Sequence, residues 1–161
     1  LLPSMGLTGL GSLDVIPNSF SALPIVAVRV FNDAGTFGTT GFFEDLLVPA
    51  DALGAGETGT LVAPPDSAQF RYNVGVRTLG AGATLAITQR NSTGAVVKGL
   101  TRTYPQNYFE QRDSAAFLEG PAVSSNDTIA IRVVSGSAIV YGATIDNRTN
   151  DPSIQFARRA P

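Results

Sequence analysis

Apolar and polar residues alternate with a period of two along most of this chain. The clearest stretch is 127–146. Ile129, Ile131 and Val133 share one phase there, and Thr128, Ala130, Arg132 and Val134 share the other. Ser135-Gly136-Ser137 interrupts the pattern. Ile139, Tyr141, Ala143 and Ile145 then alternate with Ala138, Val140, Gly142 and Thr144. Two β-branched runs around a small tripeptide predict a hairpin turning at Gly136, because glycine takes a positive φ without a Cβ clash. Residues 70–77 alternate as cleanly, with Phe70, Tyr72, Val74 and Val76 inward and Arg71, Asn73 and Arg77 outward. Gly80-Ala81-Gly82 predicts a turn into a strand over 83–88, and Asn91-Ser92-Thr93-Gly94 a turn into one over 95–102. Further strands are predicted over 25–31 and 153–156, with turns at 54–56 and at Pro64-Pro65-Asp66. Residues 113–118 suit one helical turn capped by Asp113 or Ser114. The spacing of turns gives about eight to ten short strands and almost no helix, the pattern of an all-β antiparallel sandwich, Ig-like or jelly-roll-like. Its predicted core holds Tyr72, Val74, Leu85, Ile87, Ile129, Ile131 and Val133.

The first 22 residues read differently from the sandwich body at 23–161. Met5, Leu7, Gly9, Gly11, Leu13 and Val15 fall on one phase of a period-2 pattern, opposite Ser4, Gly6, Thr8, Leu10, Ser12 and Asp14. Apolar teeth at strand spacing, loosened by glycine, leave two readings open: a frayed tail or loop that packs locally on its own domain, and a strand that completes another sheet. Gly9 and Gly11 would then mark places where acceptor backbone or a bulky side chain comes close. A polar turn is expected over 18–22.

Composition narrows the chemistry. The 161 residues suit one domain, and 43% hydrophobic with 15% charged residues allows a core under a lightly charged surface. The chain has no Cys and no His, which excludes Ser-His-Asp and Cys-His catalysis and an ordinary zinc site. A net charge of −2 without a basic cluster speaks against nucleic acid. Arg158-Arg159, the basic doublet, reads as a solvated tail. No run of about eighteen apolar residues marks a membrane span. The chain begins Leu1-Leu2-Pro3, so either a leader has been removed or the chain is a fragment, and removal of a secretory leader is the favoured expectation.

Candidate sites are few. Asp146, Asn147, Asn150 and Asp151 crowd one oxygen-rich turn, but without EF-hand spacing they read as a self-satisfied Asx turn and not a calcium site. Glu44, Asp45, Glu110, Asp113 and Glu119 could supply a glycosidase pair, yet any sandwich carries surface carboxylates. Tyr104, Tyr108 and Phe109 could offer a sugar-stacking face, with a core or interface role as the simpler alternative. No catalytic residue, cofactor or metal ligand is expected.

Residues 23–157 resemble a β-sandwich module found, often in tandem, in secreted and surface proteins of environmental bacteria. The likeness rests on Val30-Phe-Asn-Asp-Ala-Gly-Thr-Phe-Gly38, Ala52-Leu-Gly-Ala-Gly-Glu-Thr58, Phe70-Arg-Tyr-Asn-Val-Gly75, and the strand and turn Tyr141-Gly-Ala-Thr-Ile-Asp-Asn-Arg-Thr-Asn-Asp-Pro152. It implies a sandwich and an extracellular location, and it carries no catalytic signature. In tandem members a whole module stands where residues 1–22 stand here. The expectation is therefore a non-enzymatic, secreted structural subunit that joins copies of itself head-to-tail into a filament or pilus-like fibre. The donor strand would be Met5, Leu7, Gly9, Gly11, Leu13 and Val15. The alternative is a glycan-binding or surface-attachment module associated with a secreted enzyme.

Overall fold

The computed structural model describes residues 3–18, 25–33, 35–44 and 46–159. Leu1, Leu2, most of the turn expected over 18–22, and Asp45 lie outside the described residues. The fold is an all-β sandwich of antiparallel sheets, as the alternation predicts.

Two long strands organise it. β5 spans Phe70–Arg90 and β8 spans Thr128–Asp146. They pair antiparallel along nearly their whole length, from Phe70 opposite Asp146 to Arg90 opposite Thr128. The register shifts between Thr78 and Ala83 and again between Thr84 and Leu85.

This pairing corrects the hairpin expected at Ser135-Gly136-Ser137 and the turn expected at Gly80-Ala81-Gly82. Both triplets lie inside continuous strands, where they act as bends, and Ala83 sits opposite Gly136. Gly136 has φ +75° and Gly82 φ +68°. A Cβ on Gly136 would strike the Gly82 carbonyl oxygen. The positive φ expected of a turn is present, but the opposing strand, and not solvent, fills the space beside it.

The bends switch the phase of burial. In β5 the buried set runs Tyr72, Val74, Val76 and Thr78 before the bend, then Ala83, Leu85, Ile87 and Gln89 after it. In β8 it runs Ile129, Ile131 and Val133, then Ala138 and Val140. Without that switch one half of each strand would turn its apolar set to solvent. With it, both halves face one core, which also takes in Leu53, Leu61, Phe117 and Leu118.

Shorter strands extend each half. On one side the order is β10 (Arg158–Arg159), β4 (Thr58–Val62), β8, β5 and β6 (Val96–Tyr104). On the other, β9 (Pro152–Phe156) flanks β8 and β7 (Phe109–Asp113) flanks β5. β3 (Leu53–Gly54) pairs with β8 at the bend. The single α-helical turn among the described residues, α1 (Ser114–Leu118), has Asp113 as its N-cap, whose side chain accepts from the Ala116 amide at 3.0 Å. The Arg158-Arg159 doublet is not a free tail. It pairs with Thr60 and Gly59, and Arg159 reaches Glu57 at 2.8 Å and the carbonyls of Ala50 and Ala52.

Tyrosines cover the glycines of the β5–β8 pair. On the core face Tyr72 lies over Gly142, and on the outer face Tyr141 lies over Gly75. A ring from one strand fills the space that the partner's glycine leaves, which offsets glycine's poor strand propensity.

Ahead of the sandwich, β1 (Val28–Asp33) and β2 (Thr39–Glu44) form a two-stranded ribbon, a sheet separate from the larger one.

Candidate interaction surface

The outer face of the β7–β5–β8–β9 layer carries an apolar cluster centred on β8 and β9. Tyr141, Ala143 and Ile145 form a second buried cluster there, packed with Phe109, Ile154 and Phe156. Strand parity explains it. The even positions of the second half of β8 face the main core, so the odd positions must point outward. The sequence makes those odd positions apolar as well, so this stretch of β8 is built to be covered on both faces.

What lies over this face, among the described residues, is part of the tail at 10–14 and the β1–β2 ribbon with Leu46 and Leu47. A groove of about 510 Å³ runs between them. Its floor is Phe109, Ile139, Tyr141, Ala143 and Ile145, with Arg77 as the cation among its lining residues. Its walls include Leu10, Leu13 and Asp14 of the tail and Val30, Phe42 and Glu44 of the ribbon. The Tyr141 hydroxyl donates to Gln111 Oε1 at 2.7 Å. Burial, with the Glu44 charge adding to it, pushes that hydroxyl up to about 12. Burial also raises the Glu44 carboxyl above its ordinary value. The groove therefore behaves as a low-dielectric setting that disfavours unpaired charge.

Arg77 is the exception in that setting. Its side chain is 11% exposed, and its Nη2 donates to Asp14 Oδ2 at 2.7 Å, while the Asp14 side chain is 63% exposed. Nη1 donates to the Thr78 carbonyl, and Nε is buried without a partner among the described residues. The cation is thus fixed in the sandwich, and its carboxylate arrives on the tail.

The residues expected to form a donor strand lie on that tail. Met5 ends a 3-10 turn at Pro3–Met5, and no residue from 6 to 18 joins a strand. Met5, Leu7, Leu13 and Val15 are all exposed. Gly9 has φ +97°, and neither Gly9 nor Gly11 has an atom within 4 Å of where a Cβ would stand. Within one chain, then, neither glycine marks a close approach. Of seventeen large apolar side chains exposed among the described residues, thirteen lie between Met5 and Val48. Ile16 is 82% exposed, Ile25 100% and Phe43 75%. This concentration of exposed apolar side chains in one part of the chain makes it the candidate interaction surface.

The other candidates dissolve into structure. Glu110 and Glu119 both pair with Arg102, at 3.5 and 2.9 Å, and Arg112 and the Tyr104 hydroxyl also reach Glu110, at 2.9 and 2.8 Å. These two carboxylates therefore share one guanidinium and do not face each other across an open cleft. Asp113 is spent on its helix cap. Tyr104 is buried and stacked on Tyr108 at 5.8 Å between ring centroids, and Phe109 belongs to the outer-face cluster, so the three rings present no flat exposed platform. At the oxygen-rich turn, Asp146 Oδ1 accepts from the Arg148 and Thr149 amides at 2.7 and 2.9 Å, and Oδ2 accepts from Gln69 at 3.0 Å. Arg71 donates to Asn147 and Asn150. This is an Asx turn whose oxygens serve its own amides and neighbouring side chains. Among the described residues no group of three or more His, Asp or Glu side chains is placed to hold a metal, and no helix is long and apolar enough to cross a membrane.

No protein-family model matches the chain, and no curated protein matches it. Among solved structures, an arabinose-bound MgGH51 α-L-arabinofuranosidase aligns with 88% of this chain and 25% of its own, at 12% identity and a TM-score of 0.29. A score that low carries no argument about this chain's fold or activity.

Proposed function

We propose that this protein is a non-enzymatic structural subunit that assembles with copies of itself outside the cell, through its N-terminal segment, into a head-to-tail fibre. One observation carries the reading. The exposed apolar side chains are concentrated in the first 48 residues, beside an apolar groove on the sandwich. Met5, Leu7, Leu13 and Val15 are each about half exposed, so burying the remainder would contribute roughly half of the 1.5–3 kcal/mol that complete burial of such a side chain gives. A neighbour's groove offers that burial. A heterologous contact of this kind extends without closing unless its rotation forms a ring. The extracellular placement follows the surface module that residues 23–157 resemble.

Electron microscopy and size-exclusion chromatography of the full chain and of a chain lacking residues 1–17 test the proposal. The full chain is expected to form fibres, and the shortened chain to stay a folded monomer that binds added tail peptide. A full chain that remains monodisperse, or a shortened chain that still forms the same fibres, defeats the reading. Glycan retention by a monomer would favour an attachment module instead.

A further inference from the structure

We infer that Arg77 is the receptor that sets the register of the arriving tail, and that in the assembly it receives Asp14 from a second copy of the chain in place of its own. The inference rests on the assembly reading above and deepens it.

The pair is asymmetric. Arg77 is held on β5, nearly buried, at the margin of an apolar floor. Asp14 is largely exposed and sits on a segment without strand pairing. The carboxylate is therefore the partner that can leave. When it leaves, a buried guanidinium loses its counter-ion in a groove where Nε already has no partner among the described residues. A buried charge stripped of its partner is strongly unfavourable, so the vacancy selects another carboxylate. A neighbour's tail supplies one at the same spacing from the same apolar residues, Leu10 and Leu13, that border the groove. Because both contacts use the same two side chains, the free subunit is self-capped and the fibre is its swapped form. The apolar residues supply burial; the ion pair decides which residue of the tail stands where.

Complementary charge reversal tests this. The full-length variants Asp14→Arg and Arg77→Asp are made separately, then mixed. Each alone opposes like charges, both within the chain and between copies. In an equimolar mixture, each tail matches the other variant's groove. The expected result is at least a tenfold loss in fibre elongation rate for each variant alone, and recovery in the mixture with the two variants alternating. Assembly of either variant at the wild-type rate, or no recovery on mixing, overturns the inference. If wild-type chain does not assemble, it is the subunit reading itself that fails. Should Arg77→Asp not fold, peptides spanning residues 5–17 replace it, added to elongating wild-type chain. The natural peptide should inhibit at least tenfold more strongly than the same peptide carrying Asp14→Arg, and equal inhibition overturns the inference.

Discussion

Replacing Gly136 by alanine probes the feature that gives the sandwich its shape. Gly136 lies at φ +75°, where a side chain costs about 1–2 kcal/mol in backbone conformation alone. The alanine methyl would also meet the opposing strand. It would overlap the Gly82 carbonyl oxygen and lie 2.8 Å from the Gly82 carbonyl carbon and 3.0 Å from Ala83 Cα. Those are backbone atoms of a paired strand and cannot swing aside as a side chain would. Forcing a methyl into such a space adds about 1–3 kcal/mol. The total destabilisation should be about 2–5 kcal/mol. Gly94→Ala is the control, because Gly94 has φ +85° but nothing within 4 Å of the added methyl. It should cost only the conformational part, about 1–2 kcal/mol. Urea unfolding followed by circular dichroism measures both, with a common m-value confirming that the same cooperative unit unfolds. If the two variants lose equal stability, Gly136 faces open space as it would at a hairpin tip, and the bent-strand account fails.

Three further outcomes are expected. Ile131→Ala should lower stability by about 2–5 kcal/mol in the same assay, since Ile131 is fully buried in the main core; a loss below about 1 kcal/mol would mean that the site collapses or is wet. Tyr72→Phe should leave stability unchanged or raise it by up to about 1–3 kcal/mol, because the Tyr72 hydroxyl is buried without a hydrogen-bond partner among the described residues; a clear loss would reveal a partner for it. Asp146→Asn should be less stable than wild type near neutral pH. Hydrogen bonds from Gln69, Thr149 and Arg148 hold the Asp146 carboxyl at about 2, below its ordinary 3.8. Its contribution is therefore present above the ordinary value and lost as pH falls toward about 2. The gap between wild type and variant should close over that range, and a gap that persists unchanged in acid would refute the linkage.

The alternation of apolar residues was enough to determine the fold class and most of the core. Tyr72, Val74, Leu85, Ile87, Ile129, Ile131 and Val133 are all buried, because a period of two dictates which side chains share a face whatever the topology. The capped helical turn at 113–118, narrowed to Asp113 or Ser114 as its cap, and the Asx character of the Asp146 turn were equally legible, since both depend on residues within a few positions of one another. What the alternation left open was the meaning of a glycine between two alternating runs. A chain that reverses at Gly136 and a chain that bends and continues need the same local φ. Only the presence of a second long strand, with its own glycine bend at Gly82, selects the latter. The phase switch in burial follows from that pairing, and so does the second apolar face around Tyr141 and Ile145. Arg77 makes the same point. As a residue in an alternating strand it is one more outward charge. Its role depends on Asp14, 63 positions away, and on an apolar floor assembled from β7 and β8. Local sequence sets which way a side chain points, and the tertiary structure alone sets what it meets there.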